Sequence, residues 1–157
     1  MPLPFKIEQT GPTTLTMTRG LAAPPAKVWR AHTEPELVMK WMGMGPYPII
    51  KADIDLKVGG GFRYEWQTPE GGIMAANGEY LDLAAPHRMV HREIFDEDWT
   101  DGKTTVTSSF EAVEAGTRVT LEMKYRSEEG LQMALQSGAG EGVEGTYDQL
   151  ADLLVAA

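Results

Sequence analysis

The spacing of apolar residues changes period several times along the chain, and each change marks an element. Thr13 to Arg19 alternate threonine with Leu15 and Met17, a period of two that predicts a first strand. Pro24-Pro25 then opens a short helix over Ala26 to Ala31, with Val28 and Trp29 available to a core. Thr33-Glu34-Pro35-Glu36 predicts a second short helix. Thr33 is placed to cap it, Pro35 suits its first turn, and Glu36 would complete a capping box. Leu37, Val38, Trp41 and Met42 make its apolar stripe, and Gly43-Met44-Gly45-Pro46 stops it.

A period of two resumes at residue 49. Ala52, Ile54 and Leu56 alternate with Asp53, Asp55 and Lys57, and Gly59-Gly60-Gly61 permits a tight reversal. Phe62, Tyr64 and Trp66 then share one face of a strand, opposite Arg63, Glu65 and Gln67. A turn at Pro69-Glu70-Gly71-Gly72 leads to a strand from Ile73 to Leu83, with a bend expected at Asn77-Gly78. Another strand is expected from His87 to Asp96, with a hairpin at Thr100-Asp101-Gly102. Thr104–Ala112 then pairs with Arg118–Arg126 across a turn at Gly116. The period shifts again near the end: Val143, Tyr147, Leu150 and Leu154 recur as on an amphipathic helix, approached through Gly138–Gly142. A shorter helix is expected around Leu131 to Leu135. These elements describe an α+β protein in which short turns join antiparallel strands and a C-terminal helix closes the sheet.

Composition narrows the function classes. At 157 residues the chain reads as one domain spanning 1–157. A net charge of −9 and a pI near 4.8, with no basic stripe, argue against a nucleic-acid partner and against an anionic membrane surface. Zero cysteines exclude disulfides, thiol nucleophiles and thiolate metal ligands. No window approaches a membrane span and no signal peptide is evident, so a cytoplasmic protein is expected, monomeric or homodimeric.

Motifs for catalysis are sparse. The glycines at 59–61 lack nucleotide-loop spacing and precede a strand, not a helix whose N-terminus could receive a phosphate. Ser108, Ser109, Ser127 and Ser137 lack a nucleophile-elbow context. Met89, His91, Glu93 and Phe95 share a strand face, so His91 and Glu93 are candidates for an acid–base pair or part of a metal site. His32 and His87 supply no ligand spacing beside them, and neither a metal nor a cofactor is implied. A rise of roughly 6.5–7 Å over two strand residues predicts that His91 and Glu93 act as separate polar contacts near a ligand. Asp53 and Asp55 read as a wet face. Trp29 and Trp41 read as anchors that dock their short helices.

The ordered pieces Ala26-Lys27-Val28-Trp29-Arg30-Ala31, Thr33-Glu34-Pro35-Glu36-Leu37, Trp41, Asp55-Leu56-Lys57-Val58-Gly59-Gly60-Gly61-Phe62-Arg63, Gly78-Glu79-Tyr80-Leu81-Asp82-Leu83 and Pro86-His87-Arg88-Met89-Val90 resemble a known family. It is the family named after activators of the Hsp90 ATPase, homologues of their C-terminal domain, within the START or Bet v 1-like superfamily. The resemblance implies a helix-grip fold: a curved antiparallel sheet around a long C-terminal helix, with two short helices after the first strand. It also implies an apolar or aromatic small molecule held between sheet and helix, and no catalytic residue to carry over. The residues expected at such a site are Phe62, Tyr64, Trp66, Met74, Met89, His91, Glu93, Met123 and Tyr147, with Met133 as a further wall. The same side chains read equally well as plain core filling. A cyclase- or isomerase-like enzyme and a protein-interaction module are the alternative functions.

Overall fold

The computed structural model describes residues 3–97 and 102–156. Eight antiparallel strands form one sheet: β1 (Lys6–Gln9), β2 (Thr14–Leu21), β3 (Ile49–Ile54), β4 (Gly61–Gln67), β5 (Ile73–Ala84), β6 (Arg88–Phe95), β7 (Thr104–Val113) and β8 (Gly116–Lys124). Their spatial order is β1-β2-β8-β7-β6-β5-β4-β3, so the second strand pairs with the last and every later hairpin stacks outward from it. Two short helices, α1 (Pro25–Thr33) and α2 (Pro35–Trp41), fill the crossover from β2 to β3. Two more follow the sheet, α3 (Glu128–Gln136) and the long α4 (Ala139–Ala156). This is the helix-grip topology.

Alternation along the strands produces the core face. In β4 Phe62, Tyr64 and Trp66 are buried while Arg63 and Glu65 face outward, where Arg63 bonds Glu65, Asn77 and Asp96. Tyr147, Leu150 and Leu154 of α4 join the same core as these rings. Trp29 and Trp41 are buried anchors of α1 and α2, and the Trp41 indole N–H donates to the Ala31 carbonyl, tying one short helix to the other. Asp53 and Asp55 are exposed, each beside a lysine.

Five local expectations need correction. Strand β1 is fully exposed, so it carries no buried alternation by which its sequence would betray it. Thr33 does not cap α2: it is buried, ends α1 and donates its hydroxyl to the Trp29 carbonyl, leaving Glu34 as the junction residue. Leu56 lies beyond the end of β3 and is exposed. Strand β5 runs through Asn77-Gly78, and its irregularity falls between Tyr80 and Asp82 instead. Helix α3 is longer than expected because Ser127 caps it, accepting from the Gly130 amide at 3.0 Å. The hairpin expected at Thr100-Asp101-Gly102 lies, for its first two residues, outside the described residues.

Two glycines are required by close approach. A Cβ at Gly78 would strike the Phe62 ring, so the missing side chain is the seat on which that ring lies. Gly116, at φ 135°, lets the β7–β8 turn press on the Leu21 carbonyl, and the adjoining Thr117 hydroxyl donates to the Ala23 carbonyl at 2.7 Å.

Leu150 is completely buried at the centre of α4. Leu150→Ala should therefore lower the unfolding free energy in urea titration by about 2–5 kcal/mol. A loss below about 1 kcal/mol would show that α4 is not seated in the sheet. Gly145, by contrast, has nothing within 4 Å of an added Cβ. Gly145→Ala should raise stability by about 0.4–1 kcal/mol by reducing the freedom of the unfolded chain.

Candidate functional site

Strand register assembles one face from residues distant in sequence. Phe62 pairs with Gly78 and Gly78 with Glu93, while Tyr80 pairs with His91, His91 with Val106 and Val106 with Met123. Phe62, Tyr64, Trp66, Met74, His91 and Glu93 thus form a contiguous patch on β4, β5 and β6. Met89 lies one row along β6, buried. Met123 sits two strands away from His91, packed toward Leu15 and Tyr125. Met133 is a half-buried residue of α3, outside this patch. Tyr147 comes from α4.

The aromatic rings pack on one another. Phe62 stacks on Tyr64 at 4.8 Å, Tyr64 meets Trp66 edge-on at 6.1 Å, and the edge of the His91 ring meets Phe62 at 5.0 Å. The Trp66 indole N–H donates to the Met42 carbonyl, which fastens the end of α2 to the sheet.

The Tyr64 hydroxyl interacts with that of Tyr80, a residue not expected at the site, and burial raises both phenols, Tyr80 to about 12. Tyr125 is raised to about 12, first by burial and then by the nearby charge of Glu93. Burial alone lifts Tyr147 above the ordinary phenol range. These tyrosines are held neutral, as hydrogen-bonding groups.

His91 and Glu93 do not act as separate contacts. His91 Nε2 lies 2.9 Å from Glu93 Oε1, with 14% of the histidine side chain and 24% of the glutamate exposed. The Glu93 side chain is long enough to lean along the strand and cover the backbone rise that argued against the bond. A carboxylate only accepts, so Nε2 carries the proton, and in the neutral ring Nδ1 is an acceptor. That Nδ1 is buried and has no hydrogen-bond partner among the described residues.

His32, on α1, is the largest omission from the expected site. Its Nδ1 lies 2.8 Å from the Val28 carbonyl and its Nε2 2.8 Å from the Tyr147 hydroxyl. The carbonyl requires a donor, so Nδ1 carries the proton and Nε2 accepts from Tyr147. Its ring packs against Trp41 and Phe110, each at 4.9 Å. Burial lowers its pKa to about 4, and the bond to Val28 opposes that shift. A helical i to i−4 bond joined to a contact 115 residues away left no local pattern by which to single His32 out.

Among the described residues no three histidine or acidic side chains come together to hold a metal, and no helix is long and apolar enough to cross a membrane. A gap between Phe5, Met17, Leu121 and Tyr147 is too narrow for water. An open hollow of about 610 Å³ lies on the opposite face of β6 from His91, where Arg92, Ile94, Lys103, Thr105, Lys124 and Arg126 line it. Neither hollow overlies the Phe62–Tyr64–Trp66 row.

Comparison with known proteins agrees with this architecture. The family described as "Activator of Hsp90 ATPase homolog 1-like protein" matches residues 22–155. This chain belongs to that family. A crystal structure from Rhodobacter sphaeroides is 30% identical, with a TM-score of 0.93, over 99% of this chain and 100% of the other. One from Mycobacterium smegmatis is also 30% identical, with a TM-score of 0.87 over 98% and 99% of the two chains. A Nitrosomonas europaea protein is 28% identical, with a TM-score of 0.84 over 94% and 97%. No curated protein matches.

The depressed His32 pKa carries a signed prediction. The unfolded chain takes up this proton near pH 6.5, the folded protein only near 4. The contribution is present above pH 6.5 and is lost as pH falls toward 4, amounting to about 3 kcal/mol. His32→Gln should flatten the fall in unfolding free energy between those limits relative to the wild type. Parallel pH–stability curves for the two proteins would show that His32 is not held neutral.

Proposed function

We propose that this family member binds an apolar or aromatic small molecule between the β4–β6 face and α4, in contact with Phe62, Tyr64, Trp66, Met74, Met89, His91, Glu93, Met123 and Tyr147. The observation that carries the reading is the chemistry of the interior. Rings supply most of the surface, while the polar heads of Tyr64, Tyr80, His91 and Glu93 converge on it, and the His91 acceptor is left unused. A face evolved only for packing gains nothing from a buried acceptor without a donor.

Entry requires movement, since the rings are packed in this state. The start of α4 is the natural place to yield. Gly140, Gly142 and Gly145 each weaken its first turns by about 1 kcal/mol relative to alanine, whereas Leu150 and Leu154 anchor its second half. The protein acts as a cytoplasmic monomer or homodimer, with the whole site inside one chain. The His91–Glu93 bond favours a second reading, an acid–base enzyme in the same place, because a carboxylate-held histidine is a general-base arrangement.

Native mass spectrometry of freshly purified protein tests the binding reading. A small molecule should be carried with the folded protein and released on denaturation, and adding it back should raise the melting temperature. Trp66→Phe should weaken that rise, whereas the exposed Glu70→Ala should not. Alanine at Trp66 is a poorer test, since it would hollow the core. Protein that carries no ligand and whose melting temperature is unmoved by apolar aromatic compounds would overturn the proposal.

A further inference from the structure

The interior holds two histidines whose hydrogen bonding differs in one respect. His32 has both ring nitrogens engaged, one by Val28 and one by Tyr147. Among the described residues His91 has only Nε2 engaged, by Glu93, and its buried Nδ1 meets no donor. The Tyr64 and Tyr80 hydroxyls interact with each other, and among the described residues neither is a partner of His91 Nδ1. Phe62, which presses on the His91 ring, offers no donor at all.

We infer that the ligand is an aromatic compound bearing a hydroxyl group, which it donates to His91 Nδ1. This rests on the binding reading above and specifies the chemistry of its ligand. Glu93 serves as a positioning residue: by accepting from Nε2 it keeps the proton off Nδ1 and holds the ring at a fixed angle. The aromatic body of the ligand replaces ring–ring contacts with Phe62 and Tyr64, so its transfer from water is favourable. Its hydroxyl satisfies an acceptor that otherwise remains unpaired. A site built to receive a hydroxyl rejects the analogue whose oxygen is methylated, because the ether lacks the donor and leaves the buried nitrogen unpaired.

Three probes of nearly equal apolar surface separate the terms: naphthalene, 2-naphthol and 2-methoxynaphthalene. Dissociation constants come from ligand-observed NMR titration of the full chain. In the wild type 2-naphthol should bind about tenfold more tightly than 2-methoxynaphthalene, the effect of about one net hydrogen bond to a buried acceptor. His91→Phe keeps a ring but removes the acceptor, and should bring the two affinities within about twofold while naphthalene still binds. Nitrogen-15 spectra of the wild-type imidazole provide a measurement independent of how that variant folds. The Nδ1 resonance should move on adding 2-naphthol and stay in place on adding 2-methoxynaphthalene. Equal binding of 2-naphthol and its methyl ether, or an unmoved Nδ1 resonance at saturation, would overturn the inference and leave the apolar binding site standing. Failure of all three probes to bind would count against the binding reading and would take this inference with it.

Discussion

The long C-terminal helix must bury an apolar stripe, and the sheet must curve to receive it. Leu150 and Leu154 are buried in the core between them. Rings make up much of the same core: Phe62, Tyr64, Trp66, Tyr80, Trp41 and Tyr147. Aromatic side chains fill such a space with few rotatable bonds. Tyrosine, however, brings a hydroxyl into a region without water, and each hydroxyl then has to find a partner. The polar pairs of the interior, Tyr64 with Tyr80 and Tyr147 with His32, follow from this geometric demand.

Much of the architecture was legible in the chain because it rests on local periodicity. The alternation Phe62-Tyr64-Trp66 assigns all three rings to one face whatever they pack against, and the spacing of Tyr147, Leu150 and Leu154 does the same for α4. Strand β1 was not legible, since an exposed strand held by main-chain pairing to β2 needs no apolar pattern. Thr33-Glu34-Pro35-Glu36 has the composition of a capping box, yet burial of Thr33 turned its hydroxyl back into α1. Local propensity lost there to tertiary packing.

The candidate site divides along the same line. Residues on one strand could be grouped from spacing alone, Phe62 with Tyr64 and Trp66 on β4 and His91 with Glu93 on β6. Tyr80 and His32 enter only through register and helix docking, both non-local. Tyr80 reaches the site because β5 pairs with β6 opposite His91, and the register also puts Gly78 beneath Phe62. The apparent turn signal in Asn77-Gly78 is thus the space a neighbouring ring requires. Spacing also misjudged the His91–Glu93 pair, because backbone rise sets the distance between Cα atoms and not between the ends of two long side chains.

Comparison of the two histidines separates structure from function within one interior. Both are on elements that face the aromatic core, and both have one nitrogen bonded to a fixed acceptor. His32 finds a donor for its other nitrogen in Tyr147, so the α1–α4 contact is complete without any ligand, and its burial there depresses its pKa. His91 finds none among the described residues, and the ring that packs against it is Phe62, which has no donor to give. A buried acceptor left unpaired costs stability. Phenylalanine at residue 91 would remove the unpaired acceptor, but it would strip Glu93 of its partner and forfeit recognition of a hydroxyl. The β6 histidine is thus half of a hydrogen bond, held by Glu93, and the inferred ligand hydroxyl would supply the other half.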